Sequence, residues 1–346
     1  MKRSLRRPPI SSPALDASLL SSFSGRRCLV TGGLGFIGSN LAIALAGGGA
    51  DVTVVDALVP THGGDPGNLE EAPRTIEVIE ARVDDVDAVQ DAAAAAEVIF
   101  NLAGQVSHVE SMARPRFDLE VNTTSQIGFL EILRDVGSTA VVVYTSTRQI
   151  FGHPRYLPVD EDHPVSPVDV NGISKSATEQ LHLLYGELYG IRASSVRLTN
   201  VYGPRQRLRD DLQGFLPIFV RRALSGEPIT VFGEGAQERD CLYVDDVVEC
   251  LLDTARSEEA PGEVFNVGND ERLSLRSIAE AVVAAAGSGS IETVAWPHDR
   301  DAIDIGSYYG DSSKAKRLLG WEPRTPFVEG IAKTIEFYRS HRSRYL

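Results

Sequence analysis

The chain has 346 residues, of which 24% are charged and 42% hydrophobic, a composition typical of a folded globular protein. Its formal net charge of −14 argues against a general nucleic-acid or anionic-membrane surface, because both partners are themselves negative. No apolar run approaches the ~20 residues that span a bilayer. The cysteines, Cys28, Cys241 and Cys250, are too few and too irregularly spaced for a disulfide framework or a zinc site. We therefore expect a cytoplasmic protein that binds no metal, nucleic acid or membrane.

The first 25 residues differ in composition from the rest of the chain. Lys2, Arg3, Arg6 and Arg7 precede a stretch that contains several Ser and Pro residues. No apolar segment of the kind found in secretory signals follows them. We expect residues 1–25 to form a disordered tail, with a binding arm as the alternative.

From Arg27 onward, short β-rich segments alternate with helical segments, which is the pattern of a parallel sheet with crossover helices. Continuous apolar runs such as AVVVY suit strands that are buried on both faces. The predicted strands are Cys28–Thr31, Asp51–Asp56, Glu77–Ala81, Val98–Asn101, Val141–Thr145 and Ala193–Leu198. The predicted helices include Phe36–Ala46, Phe117–Val136 and Ser174–Tyr189.

A glycine-rich turn joins the first predicted strand to the first long helix. The segment CLVTGGLGFIGSN places Gly32, Gly35 and Gly38 at this junction. Glycines there permit a tight turn and let the backbone approach a pyrophosphate at the helix N-terminus. Asp56 ends the next strand, where a carboxylate accepts hydrogen bonds from ribose hydroxyls and repels a 2′-phosphate. No Arg or Lys follows closely, so NAD is favoured over NADP.

Together these patterns predict an α/β fold, a doubly wound parallel sheet of the Rossmann type with a smaller, mixed C-terminal lobe. We expect residues 26–202 to form the NAD-binding domain and segments around 236–270 to return to it. After Gly203 the elements shorten and Pro, Gly and charged residues interrupt them. Residues 203–346 are therefore expected to form mainly a substrate-binding lobe.

Six motifs, of which the glycine turn is the first, give the chain a family resemblance. They are TGGLGFIG, NLAG (101–104), RLTNVYGPR (197–205), RDCLYVDD (239–246), FNVG (265–268) and LGW (319–321). In this order they resemble the extended short-chain dehydrogenases/reductases, specifically the NAD-dependent nucleotide-sugar epimerases and dehydratases such as UDP-glucose 4-epimerase. The resemblance runs from about Arg26 to Tyr338. It implies an NAD-dependent enzyme that acts on a nucleotide-diphosphate sugar.

The resemblance also implies a set of cofactor contacts. Leu102, Ala103 and Gly104 would line the adenosine side, and the amides of the turn would meet the pyrophosphate. The implied pyrophosphate contacts are Phe36 and Ile37, beside the three glycines. Asn122 would be a buried polar anchor beside the cofactor or a satisfied core amide.

One departure from the family lies after the third strand. Family members usually carry an Asp near the adenine, whereas this chain reads Ala81-Arg82-Val83. The Val83 amide remains a candidate for contact with the adenine. Asp84 is either a substitute for the missing carboxylate or a helix cap.

The family's catalytic set is a strand-end Ser or Thr, a Tyr, and a Lys four residues after that Tyr. Thr147 and Lys175 occupy the first and last of these positions, but Asn171 stands where the Tyr belongs. An amide cannot act as a base near neutral pH. Three interpretations follow: His108 replaces the base, Lys175 itself acts with a pKa lowered by burial, or the protein binds without turnover.

The residues after Thr147 bear on the reaction. Family dehydratases carry an Asp-Glu pair there and decarboxylases keep a Glu, whereas this chain has Arg148 and Gln149. We therefore favour epimerisation at C-4, with epimerisation at C-2 open and dehydration or decarboxylation as further alternatives. A catalytically silent binding protein is the alternative from another class.

The resemblance finally implies substrate contacts and an assembly. Asn200 and Arg239 would bind the nucleotide diphosphate, and Arg300 would be a second cationic group or a surface residue. A homodimer would form through the helices at 117–136 and 174–189.

Overall fold

The computed structural model describes residues 15–60, 62–296 and 305–346. The basic residues of the expected tail lie outside these ranges. The second part of that tail, however, is ordered, and the prediction was wrong for it. Asp16 caps a short helix, Ala17–Ser21 (α1), and both Leu19 and Phe23 are buried in the main hydrophobic core. Their burial against the sheet explains the order, because these apolar side chains leave water on folding.

A seven-stranded parallel sheet forms the centre of the molecule. Its strands are Arg27–Thr31 (β1), Asp51–Asp56 (β2), Glu77–Glu80 (β3), Val98–Asn101 (β4), Val141–Thr147 (β5), Arg192–Leu198 (β6) and Val264–Val267 (β11). The order across the sheet is β11-β6-β5-β4-β1-β2-β3, and every neighbouring pair is parallel. The order reverses beside β1, which is the doubly wound arrangement expected from the sequence.

Helices cover both faces of the sheet. On one face, Phe36–Gly47 (α2) packs against Val244–Arg256 (α9). On the other face lie Val86–Ala95 (α3), Ser125–Asp135 (α6) and Val170–Tyr189 (α7). The predicted helix over 117–136 is interrupted: Pro115–Leu119 (α5) leads into one turn of π-helix at Glu120–Thr124 and then into α6.

A smaller lobe with its own hydrophobic core follows the sixth strand of the sheet. It contains the helices Phe215–Ser225 (α8), Leu275–Ala286 (α10) and Phe327–Ser340 (α12). Two parallel strands, Pro228–Phe232 (β8) and Ser290–Val294 (β13), pair within it. The remaining short elements are His108–Ala113 (α4), Ser313–Leu319 (α11), Arg342–Tyr345 (α13), the 3₁₀ turns Pro66–Leu69 and Arg148–Phe151, and the two-residue strands Val201–Tyr202 (β7), Glu238–Arg239 (β9), Leu242–Tyr243 (β10) and Leu273–Ser274 (β12).

Over the described ranges, no helix combines the length and the apolar character needed to cross a bilayer. Likewise, no cluster of three or more His, Cys, Asp or Glu side chains suited to a metal ion occurs in the part of the chain that the structure describes.

Candidate active site

A cavity of about 320 Å³ opens at the carboxyl ends of the central strands, beside the point where the strand order reverses. Ligands of doubly wound folds bind in this crevice. The cavity runs from the glycine turn to the ends of β5 and β6 and reaches the start of the smaller lobe at Gly214. The predicted cofactor residues that line it are Gly32, Gly35, Phe36, Ile37, Gly38, Asp56, Val83, Leu102, Ala103, Gly104 and Lys175.

The glycine turn forms one wall of the cavity with backbone alone. Gly32 has a φ of +66°, and a Cβ added there would lie 2.9 Å from the backbone of Ala103. A Cβ on Gly38 would lie only 2.2 Å from the carbonyl oxygen of Gly32. These positions accept no side chain, and the N-terminus of α2 therefore stands open to the cavity. This is the cradle that a dinucleotide pyrophosphate requires.

Asp56 lies at the end of β2 on the same wall. Its carboxylate accepts hydrogen bonds from the amides of Leu34 (3.0 Å) and Leu58 (2.9 Å). Burial raises the pKa of Asp56 above its ordinary value, and these two amides oppose the rise. Each carboxylate oxygen keeps a further acceptor position, which is the chemistry expected of a ribose contact.

The segment after β3 lacks the family's Asp near the adenine, and the contacts of Asp84 bear on whether it could replace that residue. Asp84 forms an ion pair with Arg82 at 2.9 Å, and this hydrogen bond lowers the pKa of Asp84. It is Asp85 that caps α3, by accepting from the amide of Ala88. Arg82 lines the cavity, but Asp84 and Glu120 both bind its guanidinium. Asp84 is therefore neither the helix cap nor an uncommitted carboxylate.

Lys175 and Asn122 lie side by side beneath the cavity. The Lys175 ammonium donates to the backbone oxygen of Thr145 at 3.3 Å, and burial lowers its pKa to about 8. A Cβ on Gly104 would fall 2.7 Å from Oδ1 of Asn122 and 2.9 Å from Nζ of Lys175. Asn122 itself is buried, and it exchanges hydrogen bonds with the backbone of Gln105 rather than lining the cavity. Its geometry is that of a satisfied anchor beside the site.

Asn171, which the sequence motif predicts to occupy the position of the family's Tyr, is part of a buried polar network. Its amide donates to the backbone oxygen of Gln105 at 2.8 Å and to Asp118 at 3.2 Å. Asp118 also accepts from the side chains of Gln105, Asn122 and Ser174. Sequence reasoning missed Asp118 and Gln105. The spacing of Asp118 four residues before Asn122, on one helix face, was the available signal.

His108 lies in the cavity wall and contacts two polar side chains. Its Nδ1 contacts a carboxylate oxygen of Asp169, and its Nε2 contacts the amide of Gln149. The other oxygen of Asp169 caps α7 by accepting from the amide of Gly172 at 2.7 Å. Burial acts to raise the pKa of Asp169, but the hydrogen bond with His108 leaves it below its ordinary value. Asp169 was also missed, because a lone Asp before a helix reads as a cap.

Thr147 ends β5 and also lines the cavity, where its hydroxyl accepts a hydrogen bond from the backbone N–H of Gln149 at 3.2 Å. The structure therefore brings all four predicted catalytic side chains to one cavity: Thr147, Lys175, Asn171 and His108.

Several buried polar atoms of this wall have no hydrogen-bond partner among the described residues. They are Oγ of Ser146, Oε1 of Gln149 and Oδ1 of Asn200, and all three residues line the cavity. Buried polar groups in proteins are nearly always paired. Their concentration at one cavity indicates a polar ligand that completes them.

Of the three predicted substrate residues, the structure describes two, and one of these lines the cavity. Asn200 lines the cavity, but Arg239 does not. The guanidinium of Arg239 is buried and donates to the backbone oxygens of Glu238 (2.8 Å) and Gly306 (2.6 Å). Arg300 lies outside the described residues.

Comparisons with known proteins agree with this geometry. The model of the NAD dependent epimerase/dehydratase family matches residues 28–268. The UDP-glucose 4-epimerase of Mycolicibacterium smegmatis is 35% identical over 91% of this chain and 99% of its own length. The UDP-glucuronic acid decarboxylase 1 of Xenopus tropicalis is 31% identical over 92% of this chain and 74% of its own length.

Among solved structures, the dTDP-glucose 4,6-dehydratase of Streptomyces venezuelae with NAD bound superposes with a TM-score of 0.83. It is 26% identical, and the match covers 92% of this chain and 98% of that one. The open helix N-terminus, the side-chain-free turn and Asp56 form the donor and acceptor set that this cofactor needs. The chain belongs to the NAD-dependent epimerase/dehydratase family, and NAD is its cofactor.

Proposed function

We propose that this protein is an epimerase of a nucleotide-diphosphate sugar and that C-4 is the carbon it inverts. The observation that carries the proposal is the single cavity that joins the dinucleotide wall to a polar wall. That polar wall holds Thr147, Lys175 and His108 together with unpartnered buried atoms of Ser146 and Asn200. A hydroxyl-rich ligand next to the cofactor would satisfy these atoms.

NAD, when bound, supplies reversible hydride acceptance. The side chains of this protein would then orient the sugar and move one proton. The hydroxyl of Thr147 is placed to hold the reacting sugar oxygen, and Nε2 of His108 is the group that takes its proton. Asn171 anchors the wall and carries no proton, because an amide does not titrate near neutral pH. Lys175, with its pKa lowered by burial to about 8, is the alternative proton acceptor.

The turn after β5 favours epimerisation over elimination. Expulsion of water needs a second acid–base pair, and Arg148 and Gln149 supply no carboxylate there. Inversion at C-4 or at C-2 needs only oxidation, reorientation and reduction of the same sugar. Relatives that are decarboxylases or dehydratases keep those reactions as alternatives, and the satisfied Asn171 network keeps a silent binding protein as the alternative of another class.

For the nucleotide diphosphate we propose Asn200 as the main contact, because its side chain lines the cavity and its Oδ1 lacks a partner among the described residues. Arg239 is proposed as a second contact, because its bonds to the backbone oxygens of Glu238 and Gly306 both come from one nitrogen, Nη1, of the guanidinium. Arg300 remains a proposed second cation.

We further propose a homodimer through α6 and α7. Leu184, Leu188 and Tyr189 of α7 are apolar and exposed. A second copy of the chain would remove these side chains from water.

The test is incubation of the purified protein with UDP-, GDP-, CDP- and dTDP-sugars, followed by NMR of the products. We expect one sugar to equilibrate with its C-4 epimer without added NAD. Inversion at C-2 or loss of water or CO₂ would instead establish one of the alternative reactions. Micromolar binding without any turnover would contradict the proposal and favour the silent binding protein.

A further inference from the structure

Three side chains from distant segments form a continuous polar chain in the cavity wall. Asp169 comes from the cap of α7, His108 from the start of α4, and Gln149 from the turn after β5. The imidazole lies between the other two, with Nδ1 toward the carboxylate and Nε2 toward the amide. His108 and Gln149 both line the cavity.

The two contacts indicate where the proton of a neutral His108 ring resides. An ionised carboxylate only accepts, so Nδ1 of His108 must carry a proton to bind Asp169. With that proton on Nδ1, Nε2 of the neutral ring is an acceptor, and the amide group of Gln149 donates to it. Nε2 is therefore the basic nitrogen, and it is the one turned away from the carboxylate.

Gln149 adds a second property to this arrangement. Its Oε1 is buried without a partner among the described residues, while its amide nitrogen contacts the ring. The amide nitrogen thus contacts the basic nitrogen of the ring. A half-turn of the amide would present Oε1 to the ring, and this orientation matches a protonated Nε2.

We propose that Asp169 and Gln149 are positioning residues for proton transfer by His108, an inference that rests on the proposed function. Asp169 holds the proton on Nδ1 and thereby keeps Nε2 basic. A sugar hydroxyl displaces the Gln149 amide, its O–H bond breaks and the proton passes to Nε2. The C–H bond of the same carbon would break as bound NAD accepts the hydride, and that carbon would become a carbonyl. Gln149 then turns its oxygen to the new N–H.

Other charged side chains of the described residues lie around this arrangement. Arg148 acts on Asp169 and helps to keep that carboxylate ionised. Glu110 on the same helix is held by Arg114 and lies against His62, and Lys175 faces the cavity from α7. The carboxylate that contacts the ring is Asp169.

The decisive variant is Asp169→Asn, because it separates the two roles of this side chain, which are to cap α7 and to contact Nδ1 of His108. Asn is as good a helix cap as Asp, so the hydrogen bond from Gly172 survives. Its NH₂, however, would donate to Nδ1 and force the ring proton onto Nε2. Long-range ¹H–¹⁵N spectra of the holoprotein report the tautomer directly, and His108→Gln identifies the His108 signals.

We expect the Nδ1–H form in the wild type and the Nε2–H form in Asp169→Asn. The matched control is Asp85→Asn, the same change at the cap of α3, which should leave the His108 signals unchanged. An Nε2–H form in the wild type, or an unaltered tautomer in Asp169→Asn, would overturn the assignment of Asp169.

Activity on the sugar found by the panel provides the second readout. Asp169→Asn should lower kcat at least 100-fold and change KM less than 3-fold, since loss of a general base costs about 10²–10⁴-fold. Gln149→Met removes the amide while keeping the length of the side chain. Because Gln149 accepts the new N–H of protonated His108, its loss should lower kcat about tenfold, change KM less than 3-fold and leave the Nδ1–H tautomer in place. If turnover survives Asp169→Asn although the tautomer has changed, His108 is not the base and the proposal fails. The tautomer result does not depend on substrate, so it is separable from failure of the proposed function.

Discussion

The two walls of the cavity are built from different materials. The cofactor wall is formed by backbone. Gly32 adopts a positive φ, and the lack of a side chain at Gly38 lets the start of α2 approach the carbonyl oxygen of Gly32. On the polar wall, side chains pair across long stretches of sequence. His108 and Asp169 are 61 residues apart, and Asn171 and Asp118 are 53 apart. A wall formed by backbone accepts only glycine at its closest contacts. A wall formed by side chains accepts other residues, provided that hydrogen-bonded partners are substituted together.

Asn171 illustrates the second kind of wall. If a Tyr were lost from an active site without other changes, its former neighbours would lack hydrogen-bond partners. The side-chain amide of Asn171 instead donates to two acceptors, the backbone oxygen of Gln105 and the carboxylate of Asp118. The buried carboxylate of Asp118 accepts from four side chains, those of Gln105, Asn122, Asn171 and Ser174. Removing one partner from such a network is costly. The amide of Asn171 is thus a satisfied member of this network.

The largest effect is expected on the backbone wall, at Gly38. A methyl group there would overlap the carbonyl oxygen of Gly32, which is main chain and cannot move aside. Gly38→Ala should weaken NAD binding at least 100-fold, which is about 2.7 kcal/mol, as measured by calorimetry on protein stripped of NAD. Gly47→Ala in the same helix is the control, because the nearest atom lies 3.8 Å away. Equal NAD affinity in both variants would contradict a backbone cradle.

A smaller effect is expected at Asn171. Asn171→Tyr removes both donors and adds a ring at a position that is 1% exposed. It should lower the free energy of unfolding by about 2–3 kcal/mol, from unpaired acceptors and overpacking together. Urea unfolding measures this change. Gln180→Tyr on the exposed side of the same helix should shift stability by less than about 0.5 kcal/mol. A stable Asn171→Tyr protein with faster NADH formation in single turnover would mean that the phenol alone was missing.

The contrast between backbone and side-chain walls also explains which features the sequence could predict. The first six strands of the sheet and the glycine turn were predictable, because apolar runs and glycine spacing are local signals. The early helix was missed, since Leu19 and Phe23 lie among Ser residues and their burial depends on a sheet formed later in the chain. The roles of Asp118 and Asp169 were missed for the same reason. Each is defined by a partner more than fifty residues away.

Arg239 shows the opposite case, in which a motif names a residue but leaves the contacts of its side chain open. The residue lies in β9, and its guanidinium binds backbone oxygens instead of lining the cavity. Recognition of a motif locates a residue in the chain. It does not decide whether the side chain is turned toward the ligand, because that depends on the packing of neighbouring loops.

The smallest of the expected effects concerns Lys175, which lies where the two walls meet. Its ammonium is buried, and burial lowers its pKa from 10.5 to about 8. Below pH 8 the folded protein carries this buried charge at a cost, whereas the unfolded chain carries it in water. Lys175→Met removes the charge with little change in volume. The variant should be more stable than the wild type by about 1–2 kcal/mol at pH 7, less than the full shift implies because the oxygen of Thr145 loses its donor.

The pH dependence separates this cause from simple hydrophobic gain. Between pH 8 and about pH 10.5 the unfolded chain binds the Lys175 proton more than the folded protein does, so the stability contribution of Lys175 rises with pH across that window. The advantage of Lys175→Met should therefore be largest below pH 8 and shrink toward pH 10. Urea unfolding of both proteins at pH 7, 8, 9 and 10 measures the difference, with exposed Lys316→Met as the control. A difference that stays constant with pH would show that the ammonium is not held at a cost, and Lys175 would then share the satisfied character of the Asn171 network.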